Sequence, residues 1–104
     1  MLPIIRAQQV GYSMKVVLNC PMGYQPRLDA LVEEFIRDGV IFVGVVGKDC
    51  EKIGDLIDEL VVGDGSRDYD VLTSSHPGEP IDSAVSFARD LTGEYAGDLQ
   101  IVEL

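Results

Sequence analysis

The stretch VIFVGVV (residues 40–46) decides how this chain folds. Every residue in it is apolar or glycine, and most are β-branched. A run this short and this apolar reads as a strand covered on both faces, which belongs inside a parallel sheet. Upstream, KVVLNC (15–20) is a second run of the same kind. Downstream, YDVLTS (69–74) is a weaker strand, and LQIVEL (99–104) alternates in part and reads as an edge strand.

Three helical patterns separate the strands. Over 26–38 the apolar positions are Leu28, Leu31, Val32, Phe35 and Ile36. Over 50–62 they are Ile53, Leu56, Ile57, Leu60 and Val61. Both sets follow the spacing of one helix face. Over 80–92, Ile81, Ala84, Val85, Ala88 and Leu91 share a side. Pro26 and Pro80 suit first helical positions. Gly39, Gly63 and Gly93 suit positions just past a helix end, where the backbone turns left-handed. LVVGDG can alternatively begin a small hairpin with YDVL.

The resulting order, βαβαβαβ, predicts an α/β fold: one three-layer domain with a mostly parallel four-stranded sheet and helices on both faces. Placing 40–46 inside the sheet favours the strand order 3-2-1-4. The flavodoxin-like order 2-1-3-4 is the alternative, and it requires the N-terminal arm to cover the edge of the second strand. Residues 14–104 form this Rossmann-like or flavodoxin-like domain. Residues 1–13 look unlike the rest, because MKVVLN at Met14 resembles a natural start. They are expected to be an arm that serves as an edge strand or a subunit contact.

Composition narrows the function. Eighteen acids against eight bases leave a net charge of -10. The bases are scattered, so there is no basic face for nucleic acid or anionic membrane. Two cysteines, Cys20 and Cys50, make no disulfide framework. The N-terminus lacks a secretory h-region, and no apolar run reaches the roughly 18 residues of a membrane span. A cytoplasmic location is expected.

In open parallel sheets, ligands bind beyond the carboxyl ends of the strands. Three loops meet that edge: NCPMGYQP (19–26), GKDC (47–50) and SSHPGEP (74–80). They hold the chemically interesting residues. Cys20, Cys50 and His76 are the candidate catalytic or metal-ligating groups. Thr73, Ser74, Ser75, Lys48 and Glu79 are the candidate ligand-binding groups. No C-x-x-C or H-x3-H spacing supports a metal site, and no glycine-rich phosphate motif follows the first strand, so no cofactor is expected. Acids at the helix starts (Asp29, Asp49, Glu51, Glu79 and Asp82) compete with any phosphate there. Ser74 and Ser75 lack the G-x-S-x-G elbow of a hydrolase. Thr73 to Pro80 also reads as a plain strand end: hydroxyls satisfy backbone groups, Pro77-Gly78 turns the chain, and Pro80 opens a helix. GDGSRDYD (63–70) starts like a calcium loop, but Tyr69 stands where that loop needs glycine.

The segment KVVLNCPMG resembles the start of the cysteine-phosphorylated domains of bacterial sugar phosphotransferase systems, in which a strand ends in a cysteine and a C-x-x-G loop leads into a helix. The likeness covers Cys20 to Gly23 and the flanking strand. It stops at Tyr24, Gln25 and Pro26, where that loop needs small hydroxyl residues. Arg27 also lies one position too far for a C-x5-R phosphatase loop.

The expectation is therefore a small acidic interaction or accessory module without catalysis, with a homodimer through the arm or an edge strand as the expected assembly. The alternatives are a thiol-dependent enzyme, or a small-ligand or metal-binding protein, built on Cys20, Cys50 and His76.

Overall fold

The computed structural model describes residues 4–6, 11–63 and 71–104. The elements are β1 (Ile4–Arg6), β2 (Lys15–Cys20), α1 (Leu28–Asp38), β3 (Phe42–Gly47), α2 (Cys50–Val62), β4 (Leu72–Ser75), α3 (Ile81–Asp90), a short 3-10 turn (Gly93–Tyr95) and β5 (Leu99–Glu103). Every pairing in the sheet is parallel, and the spatial order is β1-β5-β2-β3-β4. The four strands read from the sequence therefore stand in the order 3-2-1-4. Ile4–Arg6 add a fifth strand beside β5.

The order follows from apolar coverage. β3 is buried along all but its last residue, Gly47, so it needs helices on both faces and a strand on each side. Val16, Leu18, Val43, Val45 and Val102 pack with α1 and α2 through Leu28, Leu31, Phe35, Ile53 and Ile57. On the other face, Val17, Phe42, Val46 and Leu99 pack with Ala84, Val85 and Ala88 of α3. Each fully buried Leu, Ile, Val or Phe side chain contributes about 1.5–3 kcal/mol by leaving water.

Several boundaries differ from the sequence reading. Pro26 lies before α1, and Arg27 is the cap residue, so Pro26 is not its first helical position. Pro80 is itself the cap of α3, held extended at φ -71° and ψ 159°. Gly39 does end α1 in the left-handed region (φ 79°, ψ 28°). Gly93 does not end α3, which stops at Asp90; Gly93 opens the 3-10 turn instead. Leu60 to Val62 are helical, and β4 pairs parallel to β3, which replaces the hairpin alternative. The start of YDVLTS and nearly all of the calcium-like GDGSRDYD lie outside the described residues. Among the described residues, no helix is long and apolar enough to cross a membrane.

Two polar side chains are unusually deep. Lys15, 3% exposed, donates from Nζ to the Ala88 carbonyl at 2.7 Å. That carbonyl is in the last turn of α3, where the helix dipole favours a cation. Gln100, fully buried, accepts the Ser13 N–H, while its Nε2 has no partner among the described residues.

Candidate functional site

Parallel strands bring the β2–α1, β3–α2 and β4–α3 loops to one edge. Their backbones interlock there. The Cys20 carbonyl accepts the N–H groups of Gly23 at 3.1 Å and Lys48 at 2.9 Å. Gly47 has φ +104°, and a Cβ on it would stand 2.7 Å from the Cys20 carbonyl carbon. Glycine is required there twice over, by backbone angle and by contact. A Cβ on Gly23 would meet Asp49 Oδ2 at 2.7 Å. Asp49, before α2, is the non-glycine residue held at positive φ (59°) among those described, a conformation that costs roughly 1–2 kcal/mol.

Between the second and third loops lies a cleft of about 430 Å³ lined by Gly47, Asp49, Cys50, Glu51, Lys52, Pro77 and Gly78. Its volume falls in the range of small-molecule sites.

Both thiols face the α1 and α2 side of the sheet, in one apolar cluster. Cys20 is fully buried at the end of β2, and Cys50, 3% exposed, opens α2. Burial pushes the Cys20 thiol up to about 12, and Cys50 and Glu103 add smaller contributions in the same direction. Both cysteines are free.

His76 is on the other face. Strand alternation turns Leu72, Ser74 and His76 toward α3 and Thr73 and Ser75 toward α2. The contacts agree: His76 Nε2 is 2.8 Å from Ser74 Oγ, and the ring packs edge-on against Phe87 at 5.4 Å. Its Nδ1 lies 3.7 Å from Glu79 Oε2. Thr73 donates to Asp58 on α2 at 2.8 Å, and Ser75 donates to the Cys50 carbonyl at 3.2 Å. Only Ser75, of the three hydroxyls, satisfies a backbone group as the plain strand-end reading expects. Lys48 and Glu79 are exposed at the rim. The sheet thus stands between the imidazole and the two thiols. Among the described residues, no three His, Cys, Asp or Glu side chains are placed to hold a metal ion.

Two apolar residues missing from the candidate set stand out. Phe87 is 43% exposed and stacks at 5.9 Å on Phe42. Leu72, the register partner of Phe42, is 37% exposed. Phe87 carries a sequence signal, because it falls off the apolar stripe of its helix, where an aromatic ring has no core to enter.

The class is now defined: an α/β protein with a parallel sheet, its polar connectors gathered at the carboxyl edge and an apolar patch beside the outer strand β4. The chain belongs to the family DUF7684, a domain of unknown function, whose model matches residues 7–103. Neither a curated protein nor a solved structure matches the chain.

Proposed function

We propose that this protein is a non-catalytic cytoplasmic interaction module that pairs with a second copy of itself along the edge of β4. The observation that carries the reading is the exposed Phe87–Leu72 patch around Phe42, directly beside that edge. The N–H groups of Leu72 and His76 bond back to Ile41 and Val45 of the β3 segment. Alternation therefore points the Thr73 and Ser75 backbone outward. Among the described residues, no strand pairs with that side. The edge sequence LTSS carries neither a charge nor a proline, the usual guards against strand addition. For a chain of net charge -10, a self-interface needs an uncharged strip, and β4 supplies one. The separation of His76 from the thiols supports the non-catalytic part. Two free cysteines suit a reducing compartment.

Light scattering across concentration tests the pairing. A two-chain mass is expected, and dimerisation should strengthen with salt as like charges are screened. Thr73→Pro blocks an outward N–H without touching the bonds to β3, and Leu72→Lys adds an edge charge; both should give monomers. A one-chain mass at the highest concentration, or a dimer indifferent to both changes, would overturn the proposal.

A second reading rests on the 430 Å³ cleft, whose size suits a small ligand. A thermal-shift screen of metabolites tests it; no shift with any compound counts against it.

A further inference from the structure

We propose that Cys50 and Cys20 form a hydroperoxide-reactive thiol pair, in which Cys50 is oxidised first from the cleft and Cys20 resolves it as a disulfide. This is independent of the β4 interface. The two thiols share one apolar cluster on the same face of the sheet. Their backbones are pinned together. Cys20 is the register partner of Gly47, and its carbonyl holds the Lys48 N–H at 2.9 Å, two residues before Cys50. A Cβ on Gly47 would collide with the Cys20 carbonyl, so the two loops lie backbone to backbone there. Access is unequal. Cys50, 3% exposed, is among the residues that line the cleft, and Cys20, fully buried, is not. The cleft therefore offers an approach to the first residue and none to the second.

The chemistry balances with hydrogen peroxide as the oxidant. The Cys50 sulfur attacks one peroxide oxygen, the O–O bond breaks, and the released hydroxide takes up the thiol proton as water. Cys50 is then a sulfenic acid. The Cys20 sulfur attacks the Cys50 sulfur, the S–O bond breaks, and the departing oxygen leaves as a second water carrying the Cys20 proton. Two thiols and one peroxide give one disulfide and two waters. The product ties the start of α2 to the end of β2.

The test treats the reduced full chain with hydrogen peroxide in native buffer, destroys the remaining peroxide, then alkylates the remaining thiols in denaturant, and reads intact mass and a peptide map. Unalkylated chain should lose ~2 Da, the two hydrogens given up on forming a disulfide. The map should join Cys20 to Cys50 within one chain. In Cys20→Ala, dimedone should label Cys50 several-fold more than in the unaltered chain, because the resolving thiol is gone. In Cys50→Ala, Cys20 should stay reduced. Three results would overturn the proposal: both thiols still alkylatable after glutathione in the same tube is consumed, a disulfide that joins two chains, or one that forms only in urea. If either variant fails to fold by circular dichroism, the native-against-urea comparison on the unaltered chain decides alone.

Discussion

The Lys48 N–H donates to the Cys20 carbonyl oxygen at 2.9 Å, and Gly47, the residue between strand and loop, has no room for a side chain above that same peptide. The strand-end rim is built on this contact. Gly47→Ala should lose about 2–4 kcal/mol, from the positive φ and from a collision with backbone that cannot turn aside. Gly54→Ala is the control. Its Cβ would meet only the Ser75 side chain, with Oγ at 2.6 Å, and that side chain can turn away at the loss of its one bond to the Cys50 carbonyl. Urea denaturation should show the smaller loss at Gly54.

Alkaline pH should weaken the fold through Cys20. Its thiol ionises near 9 in the unfolded chain and is pushed up to about 12 in the folded one. Below the lower value both states hold the proton and stability is full. As pH rises from there, the unfolded chain sheds its proton first, so stability falls until the upper value is passed. The slope is at most about 1.4 kcal/mol per pH unit. Cys20→Ala should remove that part of the slope in urea midpoints compared at mildly and strongly alkaline pH.

Acid should release the segment that leads into β2. The Asp38 carboxylate accepts the N–H groups of Gly11 at 2.8 Å and Tyr12 at 3.1 Å. Those bonds, that from Tyr12 first and then those from Gly11 and Arg37, hold its carboxyl below the ordinary range. The stabilisation is present above the unfolded value, near 4, and is lost as pH falls through the lower folded value. The protection of the Tyr12 amide, its exchange rate measured against the intrinsic rate at the same pH, should fall in acid, and Asp38→Asn should show the lower protection at neutral pH already.

Lys15 should be worth more to stability than a surface lysine. Lys15→Met keeps the stem's volume and leaves the Ala88 carbonyl only the longer bond from the Leu91 N–H, at 3.3 Å. The expected cost is about 1.5–3 kcal/mol, the range for a hydrogen bond made by a charged group. Lys52→Met, on an exposed position of α2, should change thermal unfolding little.

Much of this architecture is legible in the residues. β2 and α2 have the bounds that period alone assigns them, because β-branched residues crowd one segment and a clean apolar stripe marks the other. The order 3-2-1-4 follows from a single strand that is apolar on both sides. Helix ends were less legible. Pro26 and Pro80 fit a first helical turn in isolation, but the loop that enters each helix holds the proline outside it.

The sequence by itself determined which segments are strands and helices, that the strands run in parallel, and that the polar loops share one rim. Those properties depend on spacing along the chain and on which residues avoid water. Only the tertiary structure decided which side of the sheet each rim residue takes. Cys20 and His76 are both at strand ends, yet one faces α1 and α2 and the other packs on Phe87. The physical reason is register. Side chains alternate faces with period two, so the face a loop residue inherits depends on how neighbouring strands align, and alignment is a contact between segments distant in sequence.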